Sequence, residues 1–216
     1  YAYVTFHTIS QSFAMEDKMK YFIPMIILSL VLLSCSKDED EETQTAAEKA
    51  AAAQLVALEG TWKTACHPHA DNTSWIDTLT VAGNVVTAKW ERHSGTSCAT
   101  DYSLKEEPLT ISIGDAVTFA NGKIGGKFTI TIGSTYKLTP QSASAVSAFN
   151  SSSECSKSDW VLDTEKECSA GDDAGDDLLC LYQLDGNTWY PKCDGSARPS
   201  TSDIDTDDAS NTFTKQ

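Results

Sequence analysis

From Gly60 onward, hydrophobic and polar residues alternate in short segments that are rich in Thr, Val, Ile and aromatic residues, and Gly and Asn interrupt them frequently. Alternation places successive side chains on opposite faces of a strand, and closely spaced turn residues are typical of antiparallel sheets. The pattern therefore predicts a mainly β, antiparallel domain. Its expected strands include residues 109–113, 116–120, 127–132, 135–138 and 212–215.

Gly83-Asn84 predicts a hairpin whose register can be counted from the turn. A two-residue loop pairs Ala82 with Val85 and, further along, Asp77 with Trp90 and Trp75 with Arg92. Alternation then assigns one set of side chains to the core face: Trp75, Leu79, Val81, Val86, Ala88 and Trp90. Asp77 and Arg92 share that face.

Gly186-Asn187 predicts a second hairpin, in which Cys180 lies opposite Cys193. The pair is expected to be non-hydrogen-bonded, with the two Cα atoms about 4.5 Å apart, a separation that a disulfide spans. The same register puts Pro191 where no ladder donor is required. The hairpin therefore predicts a disulfide between Cys180 and Cys193.

Two helices are expected. Residues 43–58 are rich in Ala, Glu, Lys and Gln and precede Gly60, a candidate C-cap, so they predict a short helical spacer. Thr139 and Pro140 resemble an N-cap and a first helical residue, and the apolar residues that follow at three-residue spacing predict one helix inserted among the strands: Ala143, Val146 and Phe149.

Six cysteines lie within residues 60–216, an even number that predicts three disulfides in an exported chain. Besides Cys180 with Cys193, we expect Cys66 to bridge to Cys98 across the first strands. Cys155 and Cys168 are expected to close a loop around Trp160. No Cys-x-x-Cys pair occurs, which argues against a zinc or thioredoxin-like redox centre.

The apolar run 21–33 follows Lys20 and ends in Leu-Leu-Ser-Cys35, which resembles the signal peptide and lipobox of a bacterial lipoprotein. The run is shorter than the roughly 20 residues of a membrane-spanning helix, which is the alternative interpretation. The resemblance implies a signal peptide at 19–34 and lipidation of Cys35. Residues 1–18, upstream of Met19, are not expected to belong to the native product. Ser36 favours an outer-membrane lipoprotein by analogy, facing either the periplasm or the cell surface.

Residues 35–59 are expected to form a lipidated tether, first acidic and then Ala-rich. Residues 37–42 combine one lysine with five acids and resemble the surface-export tag of lipoproteins in Bacteroidota. A solvated acidic spacer would have the same composition and is the alternative interpretation. The formal net charge of −15 argues against nucleic acid as a partner.

Gly60-Thr61-Trp62 resembles the Gly-x-Trp motif of lipocalins and related calycin barrels. The pattern GTWKTAC…LTV…SGTSCATDY over residues 60–102 resembles the start of the barrel domain in the Wnt-inhibitor family named for down-regulation by adenomatosis polyposis coli. The later segments LTPQSASAVSAFNSSSECSKSDW, LYQLDGNTWY and DGSARPSTSDIDTDDASNTFTK resemble parts of uncharacterised bacterial secreted proteins with that architecture, and together these matches cover 60–216. The resemblance implies a lipocalin-like β-barrel that binds a small hydrophobic molecule or lipid. It also implies that a basic residue of the last strand, Lys215, packs over Trp62.

Catalytic chemistry has little support, since no nucleophile elbow and no phosphate-binding loop occurs, so we expect no enzyme, no catalytic residue and no cofactor. His67, His69 and His93 could ligate a transition metal, but a polar rim loop is the preferred interpretation, with no metal expected. Acidic stretches at 171–177 and 203–207 could bind calcium or be solvated loops; Asp208 and Thr214 replace the glycine and glutamate of an EF-hand.

Two functions follow as hypotheses. In the first, the anchored barrel carries a hydrophobic ligand or lipid, with Trp75 or Trp90 lining the cavity near its mouth and Asp77 and Arg92 meeting a polar head group. In the second, it is an adhesion or assembly module of the cell envelope, with a filled core and an acidic outer face. An open interior would favour carriage, and an interior filled by tryptophans would favour the module.

Overall fold

The computed structural model describes residues 45–216. The predicted signal segment, the lipidation site Cys35 and the acidic part of the tether lie outside them. The described helices are α1 (Ala46–Leu58) and α2 (Ala143–Ser152). The described strands are β1 (Gly60–Thr64), β2 (His67–Pro68), β3 (Thr73–Ala82), β4 (Val85–Ser94), β5 (Asp101–Thr118), β6 (Ile124–Ile132), β7 (Thr135–Pro140), β8 (Lys166–Ser169), β9 (Asp177–Asp185), β10 (Thr188–Asp194) and β11 (Phe213–Lys215).

Eight of these strands close an antiparallel barrel, which confirms the predicted fold class with its two helices and three disulfides. Around the barrel the order is β1, β3, β4, β5, β6, β9, β10 and β11, and β11 pairs with β1 to close it. The connections β3–β4, β5–β6 and β9–β10 lie at the end where β1 begins, which we call the α1 end. The opposite, far end carries β2 and the long loop before β11.

Both predicted hairpin registers are confirmed. Trp75 pairs with Arg92, and Asp77 pairs with Trp90. Cys180 pairs with Cys193. All three predicted disulfides are present: Cys66–Cys98, Cys155–Cys168 and Cys180–Cys193. The Cα atoms of Cys180 and Cys193 are 4.1 Å apart, close to the distance expected from the register.

The longest strand, β5, has 18 residues and joins two segments that we predicted as separate strands. The register between β5 and β6 shifts at a bulge between Ile113 and Ala116, which contains Gly114, and pairing resumes beyond it. The first half of β5 was not predicted as a strand. It pairs with β4 on one side and β7 on the other, whereas its second half pairs with β6.

Residues 135–169, which we call the satellite, branch from the barrel at β5. Strands β7 and β8 pair with each other, and α2 contacts β7 and β5. A small cluster of Leu138, Trp160 and Cys168 is buried between them, with Tyr136, Phe149 and Cys155 packed around it. Asn150 holds the backbone of Trp160 through two hydrogen bonds, of 2.7 and 3.1 Å.

The predicted start of the inserted helix is wrong. Thr139 pairs with Leu104 and Pro140 is the last residue of β7, so both remain in extended backbone. The helix begins three residues after Pro140, and the Ser142 hydroxyl caps it by accepting a hydrogen bond from the Ala145 amide at 3.1 Å. Ser142, which directly precedes the first apolar residue of the helix, is therefore the N-cap that we had assigned to Thr139.

The first helix, which we expected to be a spacer leading from the tether, packs against the barrel. Leu58 at its C-terminus is fully buried in the barrel core, and its carbonyl accepts a hydrogen bond of 2.6 Å from the Trp62 indole. Gln54 accepts a hydrogen bond of 3.0 Å from the Tyr182 hydroxyl. These contacts dock α1 on the α1 end of the barrel, a tertiary effect that composition alone does not reveal.

Candidate functional site

The four residues predicted to line a ligand site, Trp75, Asp77, Trp90 and Arg92, share one face of the β3–β4 pair, as the hairpin register requires. This face continues that of Leu79, Val81, Val86 and Ala88, which pack in the barrel core. The four therefore lie towards the far end of the inward face. Trp75 is only half-buried and does not belong to the core cluster, which differs from the prediction.

The Arg92 side chain is stacked between two aromatic rings. Its guanidinium carbon lies 5.4 Å from the Trp75 ring centroid and 4.9 Å from that of Tyr102. Arg92 Nη2 donates a hydrogen bond of 3.0 Å to Asp71 Oδ2. The cation–π contacts and the ion pair together hold the guanidinium in place. The Trp75 ring is thus covered on one side by a cation of the same chain.

The Asp71 carboxylate accepts a hydrogen bond from the Thr73 hydroxyl, and His69 Nδ1 lies 3.1 Å from it. The Thr73 hydroxyl is the main cause that lowers the pKa of Asp71 to about 2, and His69 and Arg92 add to it. The carboxylate therefore remains ionised under all but strongly acidic conditions, and Arg92 keeps its partner.

Lys105 repeats this arrangement; it pairs with Trp90, two positions along the β4–β5 ladder from the pair of Arg92 with Ser103. Its ammonium nitrogen lies 4.9 Å from the Trp90 ring centroid and 4.4 Å from that of Tyr136. It also lies 2.8 Å from Glu107 Oε2, whose side chain is 7% exposed against 37% for Lys105. Burial raises the pKa of Tyr136, helped by the charges of Glu154 and Glu107. The Trp90 ring is therefore also contacted by a cation of this chain.

Asp77 faces inward between these two clusters. His67 Nε2 lies 3.2 Å from Asp77 Oδ2, and the Asp77 amide donates a hydrogen bond of 2.9 Å to the Thr64 hydroxyl. Two buried polar atoms, Asp77 Oδ1 and Arg92 Nε, have no hydrogen-bond partner among residues 45–216. Asp77 Oδ1 could accept one more hydrogen bond, and Arg92 Nε could donate one.

The barrel interior towards the α1 end is filled by aromatic side chains. Trp189 is the centre of this cluster, with ring centroids 5.6 Å from Trp62, 6.1 Å from Phe128 and 5.9 Å from Phe213. Phe128 also contacts Tyr182 at 5.7 Å, and burial raises the pKa of Tyr182 to about 12. The buried Cys180–Cys193 disulfide packs in the same core.

The contact expected from the Gly-x-Trp resemblance is present. Trp62 pairs with Lys215 across β1 and β11, and the ammonium nitrogen lies 5.1 Å from the Trp62 ring centroid. Gly60 has a φ of +121°, and a Cβ there would lie 2.9 Å from Lys215 Cε. Glycine is therefore favoured at position 60 for two reasons: it adopts this positive φ without strain, and it has no Cβ that would collide with Lys215.

The three histidines of the alternative metal site are not brought together as ligands. His67 contacts Asp77, His69 contacts Asp71 and His93 lies 3.1 Å from Asp101. Within residues 45–216, no group of three or more His, Cys, Asp or Glu side chains is arranged to hold a metal ion.

The acidic stretches lie in loops at the far end. The Asp203 carboxylate accepts hydrogen bonds from the Ser200 amide and hydroxyl, which lower the pKa of Asp203. Asp208 caps the next turn by accepting from the Ser210 amide and hydroxyl. Both carboxylates therefore hold their own loops in shape.

Sequence reasoning missed three residues that organise this region. Lys105 and Glu107 lie in the unpredicted half of β5, and alternation along that half would have placed both on the face of Trp90. Arg198, in the loop before β11, donates hydrogen bonds to the carbonyl oxygens of Phe128 and Cys180 and thereby fixes the loop to β6 and β9. No local signal in the sequence reveals that contact.

No protein-family model matches the chain, and a search of curated proteins gives no match. Among residues 45–216, no helix combines the length and hydrophobicity needed to cross a membrane.

Proposed function

We propose that this protein is a lipid-anchored, non-enzymatic adhesion or assembly module of the cell envelope, and that its barrel serves as a rigid, filled scaffold. Cys35 would carry the anchor to the outer membrane, and the far end of the barrel would meet a macromolecular partner. The observation that carries the proposal is the aromatic filling of the interior by Trp62, Trp189, Phe128 and Phe213.

The geometry of Trp75 and Trp90 supports the same conclusion. A ligand-lining tryptophan offers its ring to the ligand, but Arg92 and Lys105 already stack on these two rings. Displacing either cation would separate it from a carboxylate, Asp71 or Glu107, and would cost the ion pair as well as the cation–π contact. To carry a hydrophobic ligand on these rings, the barrel would have to rearrange the Arg92 and Lys105 side chains. A role as an adhesion or assembly module requires no such rearrangement.

The far end also provides the acidic face that such a module would use. Its loops contain two groups of aspartates: Asp172, Asp173, Asp176 and Asp177, and Asp203, Asp205, Asp207 and Asp208. Burial raises the pKa of Asp173, and repulsion by the charges of Asp176 and Asp172 raises it further. A partner with basic residues would relieve that repulsion and would associate faster at low ionic strength.

Native mass spectrometry of the purified mature protein with envelope lipid extract tests the filled-scaffold proposal. We expect the mass of the acylated protein with no further stoichiometric ligand. A saturable one-to-one lipid adduct that disappears in a folded Trp90→Ala variant would instead establish carriage.

The role of the acidic face is tested by crosslinking in intact cells. A variant with Asp203, Asp205 and Asp207 replaced by Asn should lose the crosslinks that the wild-type protein makes, whereas a variant with Asp115 replaced by Asn, on the β5–β6 side of the barrel, should keep them. Equal crosslinking by both variants would remove the acidic face from the proposal.

A further inference from the structure

The outer surface of α1 is an exposed apolar helix face. From Ala50 to Leu58 the helix contains no charged residue. Its inner face is docked through Leu58 and Gln54, yet Val56 on the outer face is 63% exposed. A helix that is apolar all round is normally covered on every side, so this face is expected to have a partner.

The apolar face continues onto the barrel. Ile124, at the start of β6, is the most exposed large hydrophobic residue of the described chain, at 68%. A groove of about 270 Å³ separates it from α1 and is lined largely by apolar residues, among them Ala53, Ala57 and Leu184. We call Ala53, Val56, Ala57, Ile124 and Leu184 the α1-end surface. Contiguous apolar surfaces of this kind mark contacts with proteins or membranes.

Two lysines of the barrel beside the α1-end surface form ion pairs, although the chain as a whole carries −15. Lys123 forms an ion pair of 2.5 Å with Asp185, and Lys127 forms one of 3.0 Å with Asp115. The unbalanced aspartates lie in the loops at the opposite end of the barrel. Of the two ends of the barrel, the α1 end is therefore repelled less by an anionic membrane, although the acidic residues 38–42 precede α1 in the chain.

The tether would hold this surface close to the membrane. Residues 36–45 separate Cys35 from α1 and span at most about 35 Å when fully extended. Attachment at that distance converts contact with the bilayer into an intramolecular event with a high effective concentration. A modest apolar surface can then bind a bilayer that it would not bind if the protein were free.

We propose that the α1-end surface rests on the lipid bilayer, so that α1 lies in the membrane interface and the acidic far end points away from the membrane. This inference rests on the proposed anchoring through Cys35. It adds an orientation to that proposal: the α1-end surface contacts the acyl region of the bilayer, and the far end is presented to the partner.

Tryptophan fluorescence on vesicles tests the orientation. The full lipidated chain is reconstituted in phosphatidylethanolamine and phosphatidylglycerol vesicles whose acyl chains are brominated, which quench tryptophans that enter the bilayer. An Ile124→Trp variant should show emission that is quenched relative to unbrominated vesicles. A Val161→Trp variant is the matched control, because Val161 is also an exposed apolar residue, at 57%, but lies in the satellite, and its added emission should not be quenched.

Flotation of the same vesicles separates the two proposals. If the protein does not float with the vesicles, both the anchoring and the orientation are wrong. If it floats but neither added tryptophan is quenched, or both are quenched equally, the anchor stands and the orientation is overturned.

A Val56→Trp variant gives a second measurement should Ile124→Trp disturb the β5–β6 turn, and quenching there supports the proposal in the same way. A dimer on analytical ultracentrifugation that is abolished by Val56→Asp, without quenching on vesicles, would assign the surface to a second copy of the chain and overturn the proposal.

Discussion

The barrel and the satellite are stabilised differently although each has a tryptophan in its core and a disulfide. The barrel buries Trp62, Trp189 and many other side chains in one closed ring of strands. The satellite buries only Leu138, Trp160 and Cys168. Small cores bury too little apolar surface to be stable alone and commonly depend on cross-links. The comparison suggests that the barrel is held by packing and the satellite by its disulfide and its contacts with β5.

Besides the pairing of β5 with β7, two cations link the two regions. Lys105 lies between Trp90, which packs on the barrel core, and Tyr136, which packs on the satellite core. Arg92 lies between Trp75 and Tyr102, and the Tyr102 ring contacts Phe149 of α2 at 6.3 Å. These contacts connect the regions through partly exposed charged groups, and such links are weaker than a shared apolar core.

The largest effect is expected from removing an aromatic side chain from the barrel core. Phe128 is fully buried, so Phe128→Ala should lower the free energy of unfolding of the whole domain by about 3–5 kcal/mol. Trp160→Ala in the satellite should instead open β7, β8 and α2 while β1, β9 and β10 stay protected. Chemical denaturation and amide hydrogen exchange distinguish these outcomes, and a uniform loss of protection in Trp160→Ala would contradict a separable satellite.

The disulfides offer a matched comparison of the two regions. Cys155–Cys168 and Cys180–Cys193 both have a sequence separation of 13, so the chain-entropy model assigns each a similar contribution of about 3 kcal/mol. Replacing both cysteines of a pair by Ala should therefore destabilise the whole barrel for Cys180–Cys193 but unfold only the satellite for Cys155–Cys168. Thermal melts followed at Trp160 and at the barrel should separate for the second variant alone. Identical melts would show that the regions unfold as one unit.

A smaller effect is expected at the link through Lys105. Lys105→Met leaves the buried Glu107 carboxylate without its ion-pair partner, which should cost about 1–3 kcal/mol. The double variant Lys105→Met/Glu107→Met removes both charges and should recover much of that loss. A double-mutant cycle in urea measures the coupling. Additive losses would mean that Lys105 acts on the satellite through its ring contacts and not through Glu107.

The smallest effect on stability is expected at low pH, where protonation of Asp71 weakens its ion pair with Arg92. Asp71 has its pKa lowered from 3.8 to about 2, so the stability that its ionised form contributes is present above about pH 4 and is lost as the pH falls towards 2. The loss is modest because the carboxylate is substantially exposed and screened by solvent. Carboxyl titration by NMR gives the pKa, and the Trp75 emission should change over the same range. Asp71→Asn should abolish that change and leave other acid transitions in place.

Local features of this fold could be predicted from the sequence, and tertiary ones could not. Both hairpin registers follow from the two-residue turns at Gly83 and Gly186, because the turn alone determines which residues face each other. The pairing of Cys180 with Cys193 follows from the same local rule. By contrast, the docking of α1 depends on Gln54 meeting Tyr182, and the helix composition carries no sign of that contact.

The candidate site divides in the same way. Alternation placed Trp75, Asp77, Trp90 and Arg92 on one face, since that requires only the strand period. The covering of the two tryptophans by Arg92 and Lys105 was not predicted, because the half of β5 that contains Tyr102 and Lys105 was not recognised as a strand. In the satellite, Thr139 and Pro140 have the residue types of a helix start, and for that reason the helix was predicted to begin there.

The shortest barrel strand has a consequence for how the chain reaches its folded form. Strand β11 has three residues, and it joins β1, which is the first strand in the sequence, to β10. Until β11 is in place the sheet has two open edges, and open edges are where chains pair with one another and aggregate. Contacts so distant in sequence also form slowly. The cell would therefore need to shield an open-edged intermediate of this protein, and a proteolytic cut before Phe213 would return the folded protein to that vulnerable form.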